Sequence, residues 1–439
     1  MPHERTARAA MLARRAVPVW DNGSGGAGES SEPVTTLRRL EHHMPMDHPS
    51  IKRLEVKNFR VLRDVSFADL TPLTALFGAN GSGKSTVFDV FAFLNDAFTS
   101  GLRKACDLRG RVQDIRSKGS TGPITLELRY REPIDGKTIT YHLEIAAERT
   151  RPVVAREFLR WTTSQGPGHP THIVDFRDGA GTILDAEAGP VSERLASPDL
   201  LAVSELGGLS RYPYVASLRT FITGWYLSYI SADSARTIQS VGPAERLSRT
   251  GDDLANVLQF LQESDPERLR SIFAALRDRV PQLEELRAVP LADGRLMLQL
   301  KDVPFDDPIL SRFASDGTLK LLAYLTVLHG ADLPAIIGIE EPENQLHPRL
   351  LGALAEEFRQ ASSNAQVFVT THSPYLLDEL RPKEVWLLHR NRDGFATAQR
   401  ASDIDRVTRM VDAGGLLGDL WMEGYFPHGN PLDWARETA

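Results

Sequence analysis

The residues with the plainest chemistry are Gly78, Gly83, Lys84 and Ser85 in the run FGANGSGKST, Phe77–Thr86. Their spacing fits G-x-x-x-x-G-K-[ST]. In that pattern glycines let backbone N–H groups curl around phosphates, the lysine adds a point charge on the β and γ phosphates, and the hydroxyl ligates Mg²⁺. The helix that follows adds the positive end of its dipole. Asn80, Gly81, Ser82, Gly83, Lys84, Ser85 and Thr86 are therefore assigned to a nucleoside triphosphate, and Ser85 also to the metal.

Two later stretches end apolar segments in polar residues, and a third sets polar residues before an apolar helix. AIIGIEEPE (Ala335–Glu343) delivers Glu340 and Glu341 to a strand end, where open α/β sheets bind ligands. Glu340 is assigned to the metal, held mostly through water because Mg²⁺ keeps much of its hydration shell, and Glu341 to the attacking water. VFVTTHSP (Val367–Pro374) places His372 at another such end, where it can reach the γ-phosphate or the water. RFASDGTLKLLAYL (Arg312–Leu325) puts Ser315, Asp316 and Gly317 before a helix, an anion-binding geometry. One γ-phosphate does not need two helix starts on the same side, so Ser315 and Gly317 are expected to meet the nucleotide of another copy.

The elements around these residues suit them. Ile51–Leu62 and Leu62–Leu70 read as an antiparallel strand pair, Leu73–Phe77 as a short apolar strand, and Lys84–Phe98 as a helix with Val87, Val90, Phe91 and Leu94 on one side. Strands are expected at Ile124–Tyr130, Thr138–Ile145, Val153–Trp161 and Phe221–Ile230, with no clear period over about 163–220. Helices are expected at Asp265–Val280, capped by Asp265, at Gly317–Gly330 and at Pro348–Gln360. Hairpins turn at Asp293-Gly294 and Asp393-Gly394. Helices alternating with continuously apolar strands in the later half predict a parallel sheet covered on both faces.

The 439 residues carry a net charge of −7 and one cysteine, Cys106. Bulk charge gives no support for nucleic-acid binding, although residues 103–118 hold a local surplus of basic side chains. A single cysteine excludes an intrachain disulfide and a cysteine metal cluster and suits the cytoplasm. No apolar run reaches the length of a membrane span, so no membrane partner is expected. Residues 1–50, with the Gly- and Ser-rich Asp21–Pro33, read as a disordered tail or as a mis-assigned start.

FGANGSGKST, FASDGTLK, IIGIEEPENQLHP and VTTHSP, in that order, resemble the ABC-type ATPase heads of the RecF/SMC/OLD group, and more closely the stand-alone RecF-like ATPases of AAA type. IKRLEVKNFRVLRDVSF resembles the opening strand pair of the same group. The likeness covers about 51–100 and 310–430. It implies an α/β ABC-type head: a mixed sheet, an antiparallel β subdomain and a lid insertion over 101–310, with the head completed by 311–439. It implies ATP with Mg²⁺, and a head-to-tail homodimer that sandwiches two ATP molecules. In that dimer Ser315 and Gly317 close on the partner's ATP, Glu343 to His347 lie at the seam, His372 is the switch histidine and Arg60 approaches the nucleotide. Glu340 stands where the group usually has Asp, and Ala314 where it has Leu. The glutamine loop is left open between Gln113 and Gln239.

The expected function is ATP hydrolysis coupled to dimerisation, in DNA repair or in defence against foreign DNA. The alternative is a regulatory or scaffold ATPase that switches a separately encoded effector protein. A phosphotransferase ranks last for want of an acceptor site. The region between Lys84 and Glu340 lacks the heptads of SMC coiled coils, and the stretch after His372 is short for the nuclease domain of OLD enzymes, so neither is expected.

Overall fold

Continuous apolar runs build the centre of the computed structural model. Residues 48–429 are described, except 134–135, 163–169, 186 and 210. The expectation for the N-terminal tail therefore lies outside the described residues up to position 47.

The strands are β1 (Ser50–Phe59), β2 (Leu62–Ala68), β3 (Leu73–Phe77), β4 (Ile124–Arg131), β5 (Thr138–Glu148), β6 (Arg151–Thr162), β7 (Thr171–Arg177), β8 (Ala180–Asp185), β9 (Gly189–Arg194), β10 (Tyr226–Ser228), β11 (Gln239–Ser240), β12 (Leu283–Pro290), β13 (Arg295–Asp302), β14 (Ile309–Leu310), β15 (Ile336–Glu340), β16 (Gln366–Thr371), β17 (Val385–Arg390) and β18 (Ala396–Arg400). The helices are α1 (Lys84–Ser100), α2 (Leu102–Asp107), α3 (Val112–Ile115), α4 (Ala202–Leu206), α5 (Pro213–Thr223), α6 (Ala232–Ala235), α7 (Leu254–Ser264), α8 (Pro266–Arg277), α9 (Asp316–Leu328), α10 (Leu351–Ala361), α11 (Pro374–Leu377), α12 (Asp405–Asp412) and α13 (Leu417–Met422).

These form an eight-stranded sheet in the order β2-β1-β4-β5-β6-β7-β8-β9, a six-stranded sheet in the order β10-β15-β16-β3-β17-β18, and a small sheet of β11, β13, β12 and β14. The first is antiparallel throughout. In the second, β10, β15, β16, β3 and β17 run parallel and only β18 is antiparallel.

Period-2 alternation decides what covers the mixed sheet. Leu76, Ile336, Phe368 and Trp386 share one core with α1 and the antiparallel sheet. Ala75, Phe77, Ile337, Ile339, Val367, Val369 and Leu387 face the other way, into a core with α9 and α10. With both faces covered, every residue of β3 and β16 is buried, whereas β4 alternates buried and half-buried positions. Gly338 lets α1 sit down on β15, because a Cβ there would lie 2.7 Å from Leu227 and 3.0 Å from Phe88. Gln366, fully buried, ties the sheets together: its side chain accepts from Ile51 N (2.8 Å) and donates to Ile51 O (2.9 Å) and Thr71 O (3.1 Å).

Two expectations are corrected. Residues 163–220 include β7, β8, β9, α4 and the start of α5. Phe221–Ile230 is not one strand: Phe221–Thr223 closes α5, begun by Pro213 in its first turn, and only Tyr226–Ser228 is extended. A short apolar run does not separate a buried strand from a helix end by periodicity alone.

Candidate active site

Parallel strands leave the mixed sheet at one edge, and the chemistry collects there. β3 runs straight into the glycine loop. The chain leaves β3 against β17, and a Cβ at Gly78 would lie 2.3 Å from Leu388 O, so no side chain fits. Gly83, at φ 113°, precedes α1 in a backbone form that L side chains rarely adopt.

Lys84 is buried, and its Nζ donates to Gly78 O (2.7 Å) and Ala79 O (3.2 Å). Burial lowers its pKa, opposed by the charges of Glu341, Glu343 and Glu340. The Ser82 Oγ is buried with no hydrogen-bond partner among the described residues. An orphaned hydroxyl, a buried ammonium held only by carbonyls, and glycines without room for a Cβ fit a phosphate chain. Asn80, Gly81 and Ser85 are exposed and Thr86 is half-buried.

Glu340 ends β15 and meets the Ser85 hydroxyl. Burial raises its carboxyl pKa, the Ser85 hydrogen bond lowers it, and Glu341 and Asp89 raise it further. The structure thus brings together the two residues assigned to the metal. A hydroxyl and one carboxylate beside a phosphate site suit Mg²⁺, which takes its remaining ligands from phosphates and water.

Glu341 is left-handed, with φ 43°, a strained form for a non-glycine residue. Its N–H donates to Thr370 O (3.0 Å), and Asn344 Nδ2 donates to its Oε2 (2.9 Å). His372, beyond the end of β16, stands between two carboxylates: its Nδ1 lies 3.5 Å from Glu341 Oε1 and 3.4 Å from Glu343 Oε1. Glu343 fixes it, accepting from His372 N (2.9 Å) and from the Thr371 hydroxyl (2.7 Å). The other oxygen of Glu343 is buried without a hydrogen-bond partner among the described residues. By sequence Glu343 belongs only to the loop after the acids. Its role as the clamp on His372 depends on β15 and β16 being neighbours.

Arg60, also left-handed at φ 49°, reaches Asp89 on α1 at 3.2 Å. Asp89 in turn holds Arg109 at 2.5 Å, and Arg109 bridges to Asp96 at 2.9 Å. Arg109, one of the basic residues of 103–118, is therefore engaged in a partly buried ion-pair network with α1. Neither candidate for the glutamine loop stands at the strand ends: Gln113 donates to Arg149 O (3.0 Å), and Gln239, on β11, to Asp252 (3.3 Å). The strand beside Glu340 is β10, and Tyr229 follows it close enough for the Glu340 and Asp89 charges to raise its pKa, after burial itself, to about 12.

Ser315 caps α9, its hydroxyl accepting from Thr318 N (3.1 Å). Gly317 has no room for a Cβ, which would lie 2.7 Å from Gln345 O. Both line an open cleft of about 530 Å³ with Gln345 and His347, and none of Asn80–Thr86 lines it. Lys320 secures this helix to the acid loop, donating to Glu341 O (3.3 Å) and Asn344 O (3.1 Å).

Comparison with known proteins adds the family. Residues 73–378 match the family described as "AAA domain, putative AbiEii toxin, Type IV TA system". The chain belongs to this family. It is also similar to an OLD nuclease of Thermus scotoductus, 23% identical over 392 residues that span 83% of this chain and 68% of that protein. Among solved structures, an SMC head bound to the C-winged helix domain of ScpA is 17% identical, covering 80% of this chain and 96% of that one, with a TM-score of 0.48. The SMC head domain from Thermotoga maritima is 14% identical over 80% of this chain and 98% of its own, with a TM-score of 0.44. The family member is an ABC-type ATPase of the RecF/SMC/OLD kind, a mixed α/β head. No helix among the described residues is long and apolar enough to cross a membrane.

Proposed function

We propose that this ATPase binds ATP through Asn80–Thr86, hydrolyses it, and works as a head-to-tail homodimer in DNA repair or in defence against foreign DNA. The supporting observation is the convergence of β3, β15 and β16 on one edge, with Ser85 touching Glu340 and His372 set between Glu341 and Glu343.

In this reading Lys84 and the loop N–H groups bind the β and γ phosphates. Ser85 and Glu340 would hold Mg²⁺, which would offset the negative charge of the phosphates. Glu341 accepts a hydrogen bond from the water and turns its lone pair toward the γ-phosphorus. His372, oriented by Glu343, donates to a γ-phosphate oxygen. The water oxygen bonds to phosphorus as the bridging P–O bond breaks, releasing ADP, phosphate and one proton. Catalysis here is positioning and charge placement.

The second half of the pocket is the partner's. Ser315 and Gly317 lie in a cleft to which this chain's own loop does not contribute. A reciprocal pairing closes as a twofold dimer, and ATP favours it because only the paired state uses both sets of contacts.

The DNA role is supported by the word nuclease in the name of the Thermus relative. The second reading, a switch for a separately encoded effector, is favoured by the pairing of Arg109 with Asp89 and Asp96, which removes a cation from the basic stretch. With its single cysteine we place the protein in the cytoplasm. The purified chain should release phosphate from ATP and Mg²⁺ without any acceptor; no release would contradict the hydrolase reading. Retention of DNA on filters at low salt with ATP, lost steeply as salt rises, supports the DNA role, and no retention favours the effector.

A further inference from the structure

Each parallel strand of the mixed sheet ends at the edge that carries the site, and the sequence motifs account for β3, β15 and β16. Of the two parallel strands that no motif claims, β10 and β17, it is β17 that flanks β3. It pairs in parallel with β3, in the register Val385↔Ala75, Trp386↔Leu76 and Leu387↔Phe77. Its last residue therefore stands level with the glycine loop, on the side away from the acids. That residue is Arg390.

The Arg390 Nε donates to Gly81 O at 2.6 Å. Gly81 is the exposed, left-handed tip of the loop, with φ 77°. Lys84 grips the same loop from within, through Gly78 O and Ala79 O. The loop is thus held by an ammonium on one side and a guanidinium on the other.

Arg60 and Arg109 are neutralised, Arg60 by Asp89 and Arg109 by Asp89 and Asp96. Arg390 is exposed, bonds a neutral carbonyl, and has no carboxylate within ion-pair distance among the described residues. Its charge is uncommitted, beside a loop built for a polyanion. An exposed charged hydrogen bond adds little to folding, so stability alone does not explain a long side chain extended across to this carbonyl.

We propose that Arg390 is a positioning residue of the nucleotide site: it fixes the tip of the glycine loop through Gly81 and biases it electrostatically toward the β-phosphate of ADP and ATP. The inference rests on the ATP-site reading above. No sequence motif points to Arg390, because only the placement of β17 beside β3 brings it there.

The test is equilibrium binding of ATP, ADP and AMP to the full chain, for the natural protein, Arg390→Ala and Arg390→Lys, with melting measured without nucleotide. Arg390→Ala should weaken ATP and ADP alike, by about 10-fold, the scale of one charge-assisted hydrogen bond. AMP binding and the nucleotide-free melting temperature should not move. In turnover the loss should fall on KM and spare kcat, and Arg390→Lys should restore part of the affinity. Unchanged ATP and ADP affinity in Arg390→Ala, while the natural protein binds both, overturns the inference and leaves the ATP-site reading standing. Weakening of AMP to the same extent, or a fall in kcat at constant affinity, also overturns it. Failure of the natural protein to bind ATP overturns both.

Discussion

The edge of the mixed sheet and the antiparallel sheet beside it are built on opposite terms. β3 and β16 are buried along their whole length, and their ends gather Lys84, Glu340, Glu341, Glu343 and His372. β4 and β5 carry regularly spaced core residues with half-buried positions between, and their polar side chains pair with one another: His142 stands 3.1 Å from Glu127 and 3.0 Å from Glu144. At the strand ends the Ser82 hydroxyl and the second Glu343 oxygen are buried without a hydrogen-bond partner among the described residues. In β4 and β5 the charged side chains pair locally. Unmet polar groups at the edge of a well-packed sheet suit a ligand site, and the sheet packed beside it keeps that edge in place.

Substitutions can break this division. The largest expected effect is Glu341→Gln, which should slow phosphate release by about 10²–10⁴-fold, the range for a positioned general base, while ATP still binds; turnover at the normal rate would remove Glu341 from the water. Lys84→Ala should weaken ATP binding by at least about 100-fold through loss of its charged phosphate contact, without a matching loss of melting temperature. Leu128→Ala, in the core of β4 at 1% exposure, should do the converse. It should cost about 2–5 kcal/mol of stability by denaturant titration and leave the ATP affinity of the folded protein intact. A Leu128 variant that loses ATP binding while still folded would show that the two regions are not separable.

The smallest effect sharpens the comparison by pH. Glu157, on β6, is fully buried, and burial raises its pKa to about 7, against hydrogen bonds from Ala202 N, Tyr141 and Val203 N. A raised carboxyl pKa means that the folded state holds the proton more tightly than the unfolded one. Stability should therefore fall as pH rises from the ordinary carboxyl range through about 7, by at most about 1.4 kcal/mol per pH unit. Glu157→Gln should flatten this slope in melting temperature between pH 5 and 8; an identical slope in both proteins would remove Glu157 as its source.

The glycine loop, the paired acids, His372 and the capped start of α9 are legible in the sequence because each depends on local spacing. The two hairpins and α8, with its Asp265 cap, are legible for the same reason. Glu343, Tyr229 and Arg390 are not, because their places follow from strand order: β16 beside β15, β10 at the edge, β17 beside β3. β9 is short and never fully buried, so it lacks the apolar alternation that marks a strand. Phe221–Ile230 misleads because its aromatics serve a helix end and a short strand in turn: Phe221 packs edge-on to Trp225, and Trp225 edge-on to Phe91.

The central claim is that two copies complete each other's nucleotide sites, Ser315 of each chain closing on the other's ATP. Light scattering of the Glu341→Gln protein with ATP and Mg²⁺ tests it most directly. Mass should double with ATP, return to the single-chain value with ADP, and fail to double in a Glu341→Gln, Ser315→Arg double variant. A single-chain mass at saturating ATP, or a dimer indifferent to nucleotide and to Ser315, would contradict it.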